Sequence, residues 1–397
     1  MARRAVKEIA AKVNGAKGVT IEEVTKKDTA DGVEARSVSA RIRTVDDLLR
    51  HIEADLTAFE VAASEATTWE GLTADRETGE PVVTELHRVF VRLRPKGGPT
   101  TREVVAAMID GAKKDFRRPL TKSVKAPKSD AYAVLVVADC HYGKYAWSDG
   151  TGHDDYDLGI ASGRVAAASE SLISTLARYK PARLLVAFLG DLFHADTPAL
   201  TTTGGTPLAG STDGRLQKMI AMGCDSLLGV VAKAAEIAPV DSLVVNGNHD
   251  ETLSWAFQRI LVERFRKEKH IRISESYTAR QYLTYGGNLL GFAHGHKAKK
   301  KLPQVMALER PADWSACPYR EWHTGHLHHQ AAEWSRPIET IDGVLVRIAP
   351  SLSPPDDYHA VNGWVGQREA MEAFVYDAAG GLSAMHVAGP RLGGRHA

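Results

Sequence analysis

The sequence has few cysteines, no long apolar run and almost no net charge. Its 397 residues include three cysteines, which are odd in number and share no CxxC spacing. Neither a disulfide framework nor a zinc site built on thiolates is therefore expected. No stretch approaches the roughly 18 consecutive apolar residues of a membrane helix, and the N-terminus becomes charged before the apolar core of a signal peptide could form. We therefore expect a soluble, non-secreted, cytoplasmic protein with no membrane partner.

The net charge of +1 hides a difference between two parts of the chain. Residues 1–128 hold 24 basic and 20 acidic residues, whereas residues 129–397 hold 26 and 29. Residues 113–128 alone carry a net charge of +6 and include two prolines. This composition is typical of a solvated linker, and a basic arm that contacts phosphates is the alternative. We predict three regions: a small basic α+β domain over 1–112, a basic linker over 113–129, and a larger domain over 130–397.

Two local patterns stand out in the N-terminal region. Thr44 and Asp47 have the spacing of a capping box, and apolar residues follow them at helical intervals. The segment 83–94 alternates instead, which predicts a strand with an apolar face and a second face that carries Arg88, Phe90, Arg92 and Arg94. Contact of this second face and of the basic linker with nucleic acid is one interpretation. A half-exposed structural hairpin is the other.

From residue 129 onward, apolar strands alternate with helices. Buried strands are predicted over 133–138, 183–189 and 241–245, and helices over 157–179 and 251–267. Beyond Ile271 the chain favours hairpins, with turns predicted at 285–288, 342–343 and 379–381. This alternation indicates an α/β domain.

Five short segments place polar side chains directly after apolar runs, where strand ends open onto a site. They are Asp139-Cys140-His141, Gly190-Asp191-Leu192-Phe193-His194, Gly247-Asn248-His249-Asp250, His294-Gly295-His296 and Gly325-His326-Leu327-His328. Strand alternation predicts that Asp139 and His141 point one way and Cys140 the other. Each segment alone is weak evidence. Together they combine carboxylate and amide oxygens with imidazoles, a mixture that suits a pair of borderline divalent ions.

The order of these segments resembles that of the calcineurin-like metallophosphoesterase superfamily, over roughly residues 130–390. The second and third segments look most like the Mre11/SbcD nuclease branch, and the overall layout also resembles uncharacterised phage-encoded phosphoesterases. The resemblance implies an α/β fold, a four-layer αββα sandwich of two mixed sheets, preceded here by the α+β domain. It places the protein in a bacterial or phage-infected cytoplasm. Mre11/SbcD proteins continue into a segment that binds an ATPase, whereas this chain ends at Ala397, which puts an ATPase partner in doubt.

The resemblance also implies the roles of individual residues. One divalent ion would be held by Asp139, His141, Asp191 and His328, and a second by Asp191, Asn248, His294 and His326. Mn²⁺ is the expected metal, although Fe²⁺, Zn²⁺ and Ni²⁺ also suit these ligands. Two such ions can acidify a shared water into a hydroxide that attacks phosphorus in line. His249 would stabilise the phosphorus or protonate the leaving oxygen, Asp250 would orient the ring of His249, and His194 would contact the phosphate or leaving group.

We therefore predict a metal-dependent hydrolase of phosphodiesters, with DNA as substrate. The reasons are the basic linker and His194, which stands where the phosphatase branch usually has Asp. A phosphomonoesterase or a nucleotide or phosphoprotein phosphatase of the same superfamily is one alternative, and a nucleic-acid-binding adaptor with a vestigial metal site is another. His296 is expected beside the ligands, and His323 and His329 are expected to be structural or rim residues. Lys144 is expected to be solvated, and contact with a phosphate is the alternative. The oligomeric state is left open.

Overall fold

The computed structural model describes residues 22–29, 32–57, 59–74, 81–95, 106, 109, 124–326 and 338–390. The chain divides into two compact units, Met1–Thr100 and Thr101–Ala397. The boundary predicted at residue 112 and most of the predicted linker fall outside the described residues, so they stay predictions. None of the described helices is both long and apolar enough to cross a membrane.

The first unit is a four-stranded antiparallel sheet with one helix on it. Its elements are β1 (Glu22–Thr29), β2 (Gly32–Ser39), α1 (Val45–His51), β3 (Phe59–Ala74) and β4 (Pro81–Pro95), and the strand order is β1-β2-β4-β3. The hydroxyl of Thr44 accepts a bond from the N–H of Asp47 at 3.1 Å, and the Asp47 carboxylate accepts one from the N–H of Thr44 at 3.0 Å. The predicted capping box is confirmed.

The alternation predicted in β4 is also confirmed. Val89 and Val91 are fully buried with Leu48 of α1, whereas Arg88 and Arg92 on the opposite face are exposed. Part of the basic charge of this opposite face is paired within the sheet. The guanidinium groups of Arg92 and Arg94 lie 2.7 and 2.6 Å from the carboxylates of Glu34 and Glu60. Contact with nucleic acid therefore stays a prediction.

The second unit contains two mixed sheets. The six-stranded sheet consists of β5 (Ala131–Val137), β6 (Arg183–Phe188), β7 (Val240–Val244), β8 (Ile271–Ile273), β14 (Met371–Asp377) and β15 (Gly381–Ala388), in the order β15-β14-β5-β6-β7-β8. Strands β5 to β8 run parallel to one another, and β14 and β15 form an antiparallel edge. The carboxyl ends of the parallel strands therefore meet along one edge of the sheet.

The five-stranded sheet consists of β9 (Arg280–Tyr285), β10 (Asn288–Ala293), β11 (Tyr319–Thr324), β12 (Ile338–Ile341) and β13 (Val344–Ile348), in the order β12-β13-β11-β10-β9. The three predicted turns join β9 to β10, β12 to β13 and β14 to β15 in antiparallel pairs. The centre of the sheet differs from the hairpin expectation, because β10, β11 and β13 are parallel. Two helices between β10 and β11 supply the crossover that a parallel pair requires.

The described helices of this unit are α2 (Ser148–Thr151), α3 (Leu158–Ala177), α4 (Leu216–Ala234), α5 (Glu251–Phe265), α6 (Leu302–Glu309), α7 (Pro311–Ala316) and α8 (Asp357–Val361). One apolar core joins α3, α4 and α5 to the six-stranded sheet. A second core contains Val134, Leu185 and Phe292, which come from strands of both sheets. A third joins α6 to the five-stranded sheet through Met306 and Trp322. The chain is a mixed α/β protein, as predicted.

Candidate metal centre

Loops after the strands bring the predicted ligands together. The N–H of Asp139 donates to the carbonyl oxygen of Gly190 at 3.1 Å, and the N–H of His141 donates to that of Asp191 at 2.9 Å. The N–H of His326, far along the chain, donates to both carboxylate oxygens of Asp139 at 3.2 and 3.0 Å. The segments that follow β5, β6 and β11 therefore meet at one place.

The backbone at this place is unusual. In the described part of the chain, nine non-glycine residues have a positive φ, and four of the nine are candidate ligands. These four are Asp139 (φ 51°), His141 (φ 45°), Asp191 (φ 47°) and His326 (φ 67°). Left-handed backbone is unfavourable for such residues and is enriched at functional sites, where surrounding contacts hold it in place.

Strand alternation, the predicted reason for the side-chain directions of Asp139 and His141, does not apply here. Cys140 does lie in the core on the helix side, opposite the candidate ligands. However, β5 ends at Val137, so strand alternation does not determine the directions of Asp139 and His141. Their left-handed conformations do so instead.

Two glycines allow the ligand loops to approach closely. A Cβ atom at Gly247 would lie 2.0 Å from Oδ1 of Asp191, and one at Gly325 would lie 2.4 Å from Oδ2 of Asp139. Side chains at these positions would therefore overlap the candidate ligands. Glycine is required here for space, and neither residue has a positive φ.

The donor atoms form two overlapping sets. Those of Asp139, His141 and Asp191 lie within 4.8 Å of one another, and so do those of Asp191, His294 and His326. Asp191 belongs to both sets, which is the position required of a bridging carboxylate. Asn248 extends the second set, because its Oδ1 lies 3.1 Å from Nε2 of His294. His328, predicted for the first ion, lies outside the described residues.

His294 shows how the second set is oriented. Its Nδ1 donates to the carbonyl oxygen of Leu189 at 2.7 Å, so Nε2 faces Asp191, 3.2 Å from Oδ2. Burial lowers the pKa of His294, but the Asp191 carboxylate more than compensates and raises it to about 9. Burial likewise raises the pKa of Asp191, but His294 and then His249 hold it well below its usual range. The centre therefore attracts positive charge, and its mixture of hard oxygens and imidazoles fits two divalent ions.

His141 of the first donor set also belongs to a cluster of three histidines. Donor atoms of His141, His194 and His249 lie within 4.8 Å of one another, and the rings of His194 and His249 stack at 5.5 Å between centroids. Nδ1 of His249 donates to the carbonyl oxygen of His194 at 2.9 Å, which leaves its Nε2 available. Nε2 of His194 lies 3.1 Å from the hydroxyl of Ser211, and its buried Nδ1 has no hydrogen-bond partner among the described residues. Each of the two predicted chemical histidines thus has one ring nitrogen held by a hydrogen bond.

Asp250 has a different role from the predicted one. Its carboxylate accepts bonds from the N–H groups of Asp191, Leu192, Phe193 and Gly247, at 3.1, 2.7, 3.1 and 3.1 Å. The ring of His249 is instead oriented by the carbonyl oxygen of His194. Burial, together with the Asp191 carboxylate, raises the pKa of Asp250 to about 7. Asp250 therefore joins the two ligand loops through their backbones and does not orient the ring of His249.

Lys144 is not solvated, contrary to the sequence prediction. Its side chain is 1% exposed, and its ammonium group donates to the carbonyl oxygen of Pro354 at 2.7 Å, with the Asp356 carboxylate 3.9 Å away. Burial lowers its pKa, and Asp356 opposes that effect. Lys144 therefore anchors the loop after β13 next to the metal centre.

His296 and His323 lie near their expected positions. The ring of His296 lies 5.3 Å from that of His294 and 5.9 Å from that of His326, beside the second donor set. His323 lies in the protein interior, where it stacks on Phe292 and its Nε2 is 2.9 Å from the hydroxyl of Tyr376. His329 lies outside the described residues.

Two positioning residues were missed at the sequence level. The hydroxyl of Ser351 donates to the carbonyl oxygen of Asp139 at 2.7 Å. The available signal was a Ser-Leu-Ser segment that begins three residues after the end of β13. Asp196 accepts bonds from the N–H groups of Thr252 and Leu253 at 3.1 and 2.9 Å, and so caps α5. No local pattern links residues that are more than 50 positions apart.

Comparison with known proteins adds little to this geometry. No protein-family model and no curated protein matches the chain. A conserved uncharacterised protein from Streptococcus pneumoniae TIGR4, described as a predicted phosphoesterase, matches with a TM-score of 0.26 and 14% identity, over 62% of this chain and 84% of that one. The structure of PhoD matches with a TM-score of 0.24 and 10% identity, over 80% of this chain and 64% of that one. At such low scores neither match is evidence of activity.

Proposed function

We propose that this chain is a calcineurin-like phosphoesterase that uses two divalent ions, with Mn²⁺ as the native metal, to hydrolyse phosphodiester bonds in DNA. The observation that carries the proposal is the membership of Asp191 in both donor sets. The three apolar cores, which alternate with helices and two mixed sheets, support the four-layer sandwich of that superfamily. Within it we assign the chain to the Mre11/SbcD-like nucleases, on the second and third ligand segments.

The candidate ligands divide into two groups that share a carboxylate. Asp139, His141 and Asp191, with His328, would hold one ion, and Asp191, Asn248, His294 and His326 the other. Two bound ions would supply Lewis acidity, which stabilises charge on phosphate oxygens and lowers the pKa of water. The protein holds these ligands through two sets of hydrogen bonds. The N–H of His326 donates to the Asp139 carboxylate, and the N–H of Asp191 donates to the Asp250 carboxylate.

His249 is the residue that we assign to proton transfer. Because a carbonyl oxygen only accepts, the bond to His194 fixes the proton on Nδ1 of His249. Its Nε2 is then the ring atom left for proton exchange with a phosphate or leaving oxygen. The backbone carbonyl oxygen of His194 thus accepts the bond from His249, and the ring of His194 stacks on the ring of His249.

The charge of the cluster favours a phosphodiester over a monoester. Burial, and then the nearby His249, keep the pKa of His194 well below its usual range, which favours the neutral form of this imidazole. The ammonium group of Lys144 donates to the carbonyl oxygen of Pro354. A diester carries one negative charge at neutral pH and a monoester carries nearly two, so a site with a neutral His194 suits the diester. The basic segment 113–128 supports DNA as the polymer.

Metal reconstitution tests this proposal. Metal-stripped protein is reloaded with Mn²⁺ and given bis-p-nitrophenyl phosphate, p-nitrophenyl phosphate, and end-labelled single- and double-stranded DNA. We expect the diester and DNA to be cleaved and Asp191→Asn to abolish both reactions. Asp225→Asn, at an exposed position on α4, is the matched control and should keep full activity.

The other outcomes identify the alternatives. A strong preference for p-nitrophenyl phosphate with no DNA cleavage would show a phosphomonoesterase. DNA binding that is the same in wild type and Asp191→Asn, with no hydrolysis in either, would show an adaptor with a vestigial site.

A further inference from the structure

A cavity of about 210 Å³ lies next to the segment that carries Asn248 and His249. Its walls come from the end of β7, from one side of α5 and from the loop 274–279. Asn246 and Glu251 line it, and each is two residues from Asn248 or His249. Since consecutive residues span at most about 3.6 Å each, the wall and these site residues are within about 7 Å along the backbone.

Two aromatic side chains line this cavity and are open to solvent. Trp255 is 41% exposed and Tyr277 is 57% exposed, and their ring centroids are 6.3 Å apart at an interplanar angle of 46°. The two rings contact each other on one side, so a planar ligand would lie against the open face of Trp255. Exposed aromatic rings that line a cavity are typical of sites that bind planar groups.

The loop that carries Tyr277 is fixed to α5. The side-chain amide of Gln258 donates to the carbonyl oxygens of Ser274 and Ser276 at 2.9 and 2.8 Å. The guanidinium of Arg259 donates to the Glu275 carboxylate at 2.8 Å. The cavity is therefore formed before a ligand arrives, which reduces the entropy cost of binding.

The charge of the lining restricts the ligand. Glu251 is the charged residue among the described lining residues, and neither lysine nor arginine is among them. A phosphate group would therefore be repelled, and an uncharged ring system is favoured. Asn246 offers both a hydrogen-bond donor and an acceptor, and Glu251 offers an acceptor, which suits the polar edge of a heterocycle.

We propose that this cavity binds the nucleobase of the ester whose phosphate lies at the metal centre, with the base stacked on Trp255. This inference rests on the proposed function, because it places a phosphate at the candidate ligands. In a nucleotide one sugar ring separates base from phosphate, which matches a base site that adjoins the segment of Asn248 and His249. The site then selects nucleotide esters without choosing among bases, because stacking tolerates every base.

Two substrates with the same leaving group test the proposal. The p-nitrophenyl esters of thymidine phosphate, both 5′ and 3′, are compared with methyl p-nitrophenyl phosphate, which has no base. We expect Trp255→Ala to lower the ratio of kcat/KM for a thymidine ester to that for the methyl ester by about 5- to 150-fold, since stacking on an aromatic side chain contributes about 1–3 kcal/mol per base. Trp255→Phe should keep most of the ratio. Trp147→Ala, at a 54% exposed position outside the cavity, is the matched control and should not change it.

A binding measurement separates failure of this inference from failure of the proposed function. Calorimetric titration of Mn²⁺-loaded protein with thymidine 5′-phosphate and with deoxyribose 5-phosphate should show tighter binding of the nucleotide, and Trp255→Ala should remove the difference. An unchanged ratio and an unchanged difference in Trp255→Ala would overturn the base site even if diesters are cleaved. If no ester is hydrolysed, the proposed function fails, and the titration alone decides whether the base site exists.

Discussion

Replacement of Gly247 by alanine isolates the close approach between the two ligand loops. The added Cβ atom would lie 2.0 Å from Oδ1 of Asp191 and 2.3 Å from its backbone nitrogen, whereas ordinary contact begins at 3.4 Å. The carboxylate must therefore move by about 1.4 Å relative to residue 247. The φ of Gly247 is not positive, so alanine adds steric overlap without backbone strain.

The expected effects follow from this displacement. Overpacking of this kind costs about 1–3 kcal/mol of stability. A misplacement of about 1 Å at a catalytic centre can cost about 100-fold in rate, so we expect kcat/KM on bis-p-nitrophenyl phosphate to fall by at least about 100-fold. The Mn²⁺ affinity should fall as well, because Asp191 belongs to both donor sets.

Thermal unfolding, Mn²⁺ titration and diester hydrolysis measure the three effects. Gly229→Ala is the matched control, because Gly229 lies within α4 and a Cβ there meets nothing within 4 Å. It should keep full activity and gain up to about 1 kcal/mol of stability from helix propensity. Wild-type Mn²⁺ affinity and activity in Gly247→Ala would refute the close contact between Gly247 and Asp191.

Three further substitutions test other parts of the structure. Asp250→Asn should lower the free energy of unfolding, measured with urea, by about 2–4 kcal/mol. Each carboxylate oxygen of Asp250 binds two N–H groups, and an amide has only one oxygen, so one pair would lose its acceptor. An unchanged free energy of unfolding would exclude the loop-joining role of Asp250. Burial, and then Arg347, lower the pKa of His323 to about 3, so the unfolded chain takes up this proton near pH 6.5 and the folded chain does not. The free energy of unfolding therefore falls as pH drops below 6.5. His323→Phe should reduce this loss between pH 7 and pH 5 by about 2 kcal/mol. The same loss in wild type and His323→Phe would contradict the buried, neutral His323. Thr44→Ala should destabilise the first unit by about 1 kcal/mol, because it removes the N-terminal cap of α1. Faster hydrogen exchange in α1 would detect this loss.

Local patterns predicted the features that depend on neighbours in sequence. The Thr44 cap, the alternation in β4 and the hairpin turn before Asn288 each depend on residues a few positions apart. The positions of the ligand segments followed from the apolar runs before them, and the structure brings Asp139, Asp191 and the later histidines together.

Features that depend on distant partners were not predicted. Asp139 has left-handed backbone, and its carboxylate accepts a bond from the N–H of His326, which lies 187 positions away. Lys144 is buried because a loop 210 positions later supplies the Pro354 carbonyl oxygen. The bonds of Asp250 likewise cross to the loop of Asp191, so its role could not be inferred from the adjacent His249. The parallel order of β10, β11 and β13 depends on a crossover rather than on any turn sequence.

Anomalous X-ray diffraction from Mn²⁺-loaded crystals tests the central claim most directly. We predict two Mn²⁺ peaks about 3.5–4 Å apart, with the Asp191 carboxylate bound to both. The first ion should lie against Asp139 and His141, and the second against His294 and His326. A single peak, or two peaks that do not share Asp191, would contradict the binuclear centre.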